Sequence, residues 1–166
     1  MEILKRIEID KPAEEVWKVL AHDFDQSYVW MRGVYHSYKQ EAETQFVEAP
    51  VSGRVCEFSK KSNGFSADER ITAYSEENKT FTIEVVPQNT PMIFPVLKNN
   101  VHISVESSET NASTVIWRCD VELKSLGYVL YPMVKMALSK AFGEILEDLK
   151  YFVENNEPHP EKLEQV

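Results

Sequence analysis

Two periodicities divide this chain. Between residues 34 and 123 apolar and polar positions alternate in short runs, and after Gly127 they recur at helical spacing. Phe81, Ile83 and Val85 alternate with Thr80, Thr82 and Glu84, and Val101, Ile103 and Val105 alternate with His102, Ser104 and Glu106. The same pattern sets Val115, Trp117, Cys119, Val121 and Leu123 against Thr114, Ile116, Arg118, Asp120 and Glu122. A period of two buries one face of a strand and wets the other, as in an antiparallel meander. Asn63-Gly64, Glu77-Asn78 and the polar stretch Ser107–Ser113 supply hairpin connections between such strands.

The flanks of this region read differently. Ile3, Ile7 and Ile9 suggest an opening strand over residues 2–9, which Asp10-Lys11-Pro12 stops. Pro12 suits a first helical position, and Glu14 and Glu15 complement the dipole of the helix that follows. Ala13, Val16, Trp17 and Leu20 give that short helix one apolar face, and a second helical turn is expected around Asp25–Met31. The last element runs from after Gly127 to about Asn155, with Pro132 in its first turn or at a kink. Its apolar stripe is Val134, Ala137, Leu138, Ala141, Phe142, Ile145, Leu149 and Phe152; its polar stripe includes Lys135, Ser139, Lys140, Gly143, Glu144, Glu147 and Asp148. A helix of that length spans roughly 36 Å, enough to cross a small sheet. Residues 1–156 are therefore expected to form one domain, with 157–166, which lack periodicity, as a flexible tail.

Composition narrows the function classes. With 166 residues, 43% apolar and 27% charged, the chain is long enough for a real core and too apolar for wholesale disorder. The formal charge of −9 opposes phosphate backbones and anionic surfaces, and the longest basic cluster is only Lys60-Lys61, so no nucleic-acid partner is expected. Met1–Arg6 carries no apolar signal region, and no run approaches the ~20 apolar residues of a membrane helix, so a cytoplasmic protein without an integral membrane segment is expected. Cys56 and Cys119 lie in apolar strand-like segments and read as buried reduced thiols. Without CxxC or HxxxH spacing, neither a metal nor a cofactor is implied.

Three local motifs then carry a resemblance. Ile7-Glu8-Ile9-Asp10-Lys11-Pro12-Ala13-Glu14-Glu15-Val16-Trp17 is the first, a strand entering a Pro-initiated helix with a Val-Trp pair. Glu69-Arg70-Ile71 leading to Tyr74-Ser75-Glu76-Glu77 is the second. Leu146-Glu147-Asp148-Leu149-Lys150-Tyr151-Phe152-Val153-Glu154 near the C-terminus is the third. In this order, framing residues 1–155, they resemble the START-like superfamily, which includes the polyketide cyclase/dehydratase-like proteins (SRPBCC). The resemblance implies an α+β helix-grip fold. That is a curved antiparallel sheet of six to seven strands around a long C-terminal helix, with two short helices after the first strand. It also implies a pocket for an apolar small molecule. The loop Ser62-Asn63-Gly64-Phe65 is less Gly-rich than its counterpart beside the pocket mouth in the family.

Glu69 is the most informative candidate. Alternation places it with Phe65, Ala67, Ile71 and Ala73, where an unpaired carboxylate would be costly. It reads as a ligand-orienting acceptor, a general acid/base, or half of a structural ion pair, and the resemblance aligns it with a glutamate facing the cavity. Arg70 points the other way by parity. Trp117 is expected in the core or lining the cavity, as is the cluster Tyr128, Tyr131, Met133 and Met136 with Ala137 where the last helix begins. Trp30, His36 and Tyr38 lie along one early segment, where His36 reads better as a surface histidine. Residues 87–97 hold three prolines with Met92, Ile93, Phe94, Val96 and Leu97, and read as a lid, an interface, or plain loop packing.

The expected ligand-binding set is Glu69, Trp117, Trp30, Tyr38, Ile71, Phe94, Tyr131, Met133 and Ala137. No serine elbow, Cys-His pair or phosphate-cradling loop occurs, so Glu69 is the one catalytic candidate. Three readings follow. The first is a binder of a lipid or polyketide-like apolar metabolite in a cavity of several hundred Å3. The second is a cyclase/dehydratase-type enzyme using Glu69 as general acid/base. The third is a chaperone-activator-like interaction module with a filled core and an exposed apolar patch.

Overall fold

Alternation along the strands forces a sheet with one dry face, and the helices cover it. The computed structural model describes residues 1–108 and 111–163. Seven strands form one antiparallel sheet: β1 (Glu2–Ile9), β2 (His36–Lys39), β3 (Gly53–Glu57), β4 (Ser66–Ser75), β5 (Thr80–Gln88), β6 (Val96–Ser107) and β7 (Ser113–Leu123). Their order is β1-β7-β6-β5-β4-β3-β2, so the chain closes by setting its first strand beside its last. The inward sets on β5, β6 and β7 match the alternation. Phe81, Ile83, Val101, Ile103, Val105, Val115, Trp117, Cys119, Val121 and Leu123 are all buried. Glu109 and Thr110, in the expected turn before β7, lie outside the described residues.

α1 (Ala13–Trp17) follows β1, with Pro12 at its N-cap, one place earlier than the first-turn position expected of it. It continues into a wider turn over Lys18–His22 and a 3-10 segment over Phe24–Val29. Trp17, Phe24 and Phe81 interlock edge-to-face, with ring centroids 5.5 and 5.8 Å apart along the chain of contacts. After β7, α2 (Ser125–Val129) is a separate short helix, and α3 (Tyr131–Asn155) starts anew with Pro132 in its first turn. α3 ends on Asn156 in the left-handed region, whose N–H reaches Phe152 O at 2.8 Å.

The apolar stripe on α3 divides in two. Its second half packs on the sheet through Leu146, Leu149 and Val153, whereas in the first half Val134 is buried and Ala137 and Ala141 are exposed. Asp148, expected on the polar stripe, is fully buried. Arg32 explains it, because its backbone N–H and Nε donate to the two Asp148 oxygens at 2.7 and 2.6 Å. In place of the frayed tail expected at 157–166, Pro160–Leu163 forms a helical turn, α4. There Glu161 accepts from Arg32, and the buried Lys162 donates to Val34 O. Polar bonds rather than an apolar face hold this segment, so no periodicity announces it; residues 164–166 lie outside the described residues.

A bulge corrects the expected face of Ala73. The β4–β5 register shifts between Ile71 and Ala73, which turns Ala73 outward and brings Tyr74 against Trp17, with centroids 5.6 Å apart. Glu76 then accepts from Trp17 Nε1 (2.9 Å) and Tyr74 OH (2.7 Å), and meets His22 Nε2 (2.8 Å). Burial alone would raise the Glu76 pKa. The three partners outweigh it and hold the carboxyl below its ordinary value of 4.5. A carboxylate depressed on folding stabilises above its unfolded pKa and loses that contribution as pH falls through the folded value. Urea midpoints of wild type and Glu76→Gln should therefore differ most above pH 4.5 and converge at lower pH. A constant difference across that range would show that Glu76 acts by shape alone.

Candidate functional site

The concave face of the sheet does not fill completely. A cavity of about 140 Å3 remains between strands β3–β7 and the α3 side chains Phe142 and Ile145. It is smaller than the several hundred Å3 expected, and the bulky side chains of Met31, Phe58 and Phe142 are among those that line it. Most of its lining is apolar, including Val34, Ala67, Ile83, Val85 and Val101. Four polar side chains enter that lining: Arg54, Glu69, Asn99 and Trp117.

Arg54 and Glu69 sit directly opposite one another on β3 and β4. Both Arg54 Nε and Nη2 reach Glu69 Oε2 at 2.7 Å, and Nη1 donates to Phe24 O at 2.6 Å. The guanidinium also lies over the Phe24 ring, 4.1 Å from its centroid. Burial disfavours the Arg54 charge, yet Cys56 and Glu69 beside it leave its pKa raised. Of the roles open to Glu69, the geometry supplies the ion-pair partner, and it does so inside the cavity lining.

Asn99 and Trp117 differ from this pair. Asn99 Oδ1 and Trp117 Nε1 are buried without a hydrogen-bond partner. Both side chains lie beside Cys119, whose thiol burial pushes up to about 12 against the opposing effect of those two groups. A neutral thiol is a weak acceptor, which leaves the indole N–H unsatisfied. Cys56 is pushed up to about 12 as well, chiefly by burial, so neither free thiol is a nucleophile at neutral pH. Among the described residues no group of three or more His, Cys, Asp or Glu side chains is arranged to hold a metal.

The remaining expected ligand residues lie elsewhere. Trp30 and Ile71 are buried in the core outside the cavity lining. Tyr38 borders a polar surface hollow shared with Lys61, Asn63 and Asn89. Phe94, Met133 and Ala137 line an outer apolar groove of about 290 Å3 between residues 94–96 and the start of α3. Tyr131 is partly exposed beside that groove, and His36 is exposed, its ring tilted against those of Tyr28 and Tyr38.

The segment between β5 and β6 is shorter than the expected 87–97, because Pro87 pairs in β4–β5 and Val96 in β6–β7. Asn89 Nδ2 bonds Gly64 O at 3.2 Å, and Phe94 meets Phe65, which stacks on Phe58 at 4.7 Å. Phe58 belongs to the cavity lining, so an aromatic chain links both loops to the cavity. Asn63 takes the left-handed position (φ 56°) in the loop at 62–65, which a glycine would occupy more freely.

Sequence reasoning missed Arg54 and Asn99. A signal existed for each: Arg54 is two residues before the inward Cys56, and Asn99 two before the inward Val101. Breaking a buried pair costs about 3–5 kcal/mol, whereas replacing both partners with apolar groups of similar volume is often neutral. Arg54→Met and Glu69→Leu singly should each lower the unfolding free energy by about that amount, and the double variant should recover most of it. Denaturant unfolding of the four proteins checks this; additive losses would show the pair is not coupled.

Solved structures share the architecture. A START superfamily protein from Mycobacterium smegmatis superposes with a TM-score of 0.73 at 15% identity, covering 93% of this chain and 98% of its own. XoxI from Bacillus cereus gives 0.69 at 19% identity, covering 95% and 99%. DynU16, a protein in the dynemicin biosynthetic locus, gives 0.63 at 11% identity, covering 95% of this chain but 48% of its own. No curated protein sequence matches the chain. The profile of the family described as polyketide cyclase / dehydrase and lipid transport matches residues 2–154. With a seven-stranded antiparallel sheet gripping a long C-terminal helix, the chain belongs to this family, within the START-like (SRPBCC) superfamily.

Proposed function

We propose that the chain binds one small, largely apolar molecule carrying a polar end, with that end at Asn99, Trp117 and the Arg54–Glu69 pair. The observation that carries this reading is the pair of unpartnered buried atoms, Asn99 Oδ1 and Trp117 Nε1. A buried polar group without a partner costs about 1–3 kcal/mol. Two such groups lining one cavity are explained by a ligand that pairs with them.

Size restricts the ligand further. An apolar cavity of ~150 Å3 holds a single benzene ring. The 140 Å3 present here accepts a body of that bulk without rearrangement. A longer ligand must displace Phe58 and run past Phe65 and Phe94, the aromatic chain that joins the cavity to the two loops. The family description, which names polyketide cyclisation and lipid transport, suits an apolar body with oxygen functions.

Glu69 serves here as an anchor rather than as an acid. Two guanidinium nitrogens of Arg54 already occupy Glu69 Oε2 at 2.7 Å, so the side chain is engaged in a structural pair. That engagement weighs against the cyclase/dehydratase alternative in which Glu69 is the general acid/base.

Native mass spectrometry of freshly purified protein, with solvent extraction of the adduct, tests the proposal. Wild type should carry a discrete adduct, and Ala67→Leu, which fills part of the cavity, should lose it while remaining folded. A clean unliganded mass from several expression hosts, or an adduct retained by Ala67→Leu, would contradict the assignment. Asn99→Leu should show the opposite balance for stability, because it removes an unsatisfied amide. Its unliganded form should be about 1–2 kcal/mol more stable than wild type, with the adduct weakened. Thermal unfolding with and without extracted ligand reads both effects.

A further inference from the structure

We infer that residues 89–95, α2 and the first turns of α3 form one face that docks on anionic lipid bilayers. Met92 is 97% exposed, Val129 77%, Ile93 73% and Met136 70%, four large apolar side chains left in solvent. These side chains belong to one neighbourhood. Lys124 N–H bonds Pro95 O at 2.8 Å, joining the start of α2 to the loop, and Phe94 and Val96 face Met133 and Val134 across the outer groove. Tyr128 and Tyr131 add the amphipathic aromatics that favour the boundary between headgroups and acyl chains.

Charge selects the partner. The chain carries −9, yet residues 90–98 and 123–143 contain Lys98, Lys124, Lys135 and Lys140 and no Asp or Glu. Lys98 is taken up by Glu84 and Glu122, and Lys140 lies 3.7 Å from Glu144. No carboxylate among the described residues pairs with Lys124 or Lys135. A second copy would bring the same lysines face to face in a symmetric contact, which like charges disfavour. An anionic bilayer attracts these lysines and accepts the apolar side chains beneath them. The acidic remainder of the chain is repelled by the same surface, which favours approach by this face. No described helix is long and apolar enough to cross a membrane, and docking here is interfacial.

The groove also has a direction. Val134 and Leu138 line it, and Phe142 and Ile145, the next positions on the same side of α3, line the inner cavity. An apolar molecule leaving the acyl region meets this row before it meets water.

Vesicles of phosphatidylcholine with and without phosphatidylglycerol test the inference, with Ile93→Trp as reporter. The three native tryptophans are buried, so an indole at this exposed position responds separately. Phosphatidylglycerol vesicles should sediment the protein and blue-shift the new indole, added salt should weaken both, and Lys124→Glu/Lys135→Glu should weaken binding at least about tenfold. Ala67→Leu should dock like wild type, so failure of the ligand assignment and failure of docking are separable. An unshifted indole, equal binding to pure phosphatidylcholine, or equal binding by the charge-reversed variant would overturn the inference. So would a blue shift without vesicles that grows with protein concentration, which would assign the face to a second copy.

Discussion

The buried ion pair between Arg54 and Glu69 is the constraint around which this molecule is arranged. Two charges withdrawn from water on the concave face of a sheet are tolerated only with close, multiple partners. Glu69 receives two guanidinium nitrogens, and Arg54 also reaches the Phe24 carbonyl and lies on the Phe24 ring. Those contacts tie β3 to β4 and pull the 3-10 segment onto the sheet. A small polar network seals the same region: Ser37 Oγ donates to Asp25 O at 2.6 Å, and Ser27 Oγ lies 3.2 Å from Ser37 Oγ. The polar floor of the cavity is thus also the joint between the early helical segment and the sheet.

Above that floor the interior is left incomplete. Asn99 stands where continued alternation would favour another valine or isoleucine, and Trp117 buries an indole N–H with nothing better than the weakly accepting Cys119 thiol beside it. Apolar replacements would pack more favourably, so the retained polar atoms are a cost that unliganded stability does not explain. Access lies along α3. Its second half is clamped to the sheet by Leu146, Leu149 and Val153, while its first half leaves Met133 and Met136 in solvent beside the loop at 89–95. One helix therefore serves as core element and as rim of the entrance.

Much of the fold was legible in the sequence because β5, β6 and β7 are long and one-sided. Their inward sets follow from parity alone, and the order of strand, short helices, meander and long helix carried the superfamily resemblance. The failures are local and physical. A single extra residue at Thr72 exchanges the faces of Ala73 and Tyr74, and nothing in the composition of β4 marks it. Arg54 lies in a five-residue strand, where its partner is defined only by cross-strand register. Asp148, Arg32 and Lys162 are held by long-range polar bonds, so the burial of Asp148 on a charged helix face and the docking of Pro160–Leu163 were hidden. Of the candidate site, Glu69 and Trp117 were legible from parity and lie in one cavity. Phe94, Met133 and Ala137 lie in the outer groove, because the β5–β6 loop packs against the outer part of α3 rather than over the sheet.

The central claim is that the unpaired polar atoms of the cavity are completed by a ligand. The indole N–H resonance of Trp117, read in a nitrogen-15 proton correlation spectrum, tests this most directly. Trp17 serves as internal reference, because its N–H is already bonded to Glu76. Titration with 4-methylphenol should shift the Trp117 resonance downfield and leave that of Trp17 in place, while toluene, of similar bulk but without a polar group, should bind more weakly and give no downfield shift. Equal affinity for the two compounds, or a Trp117 resonance unmoved by both, would contradict the account.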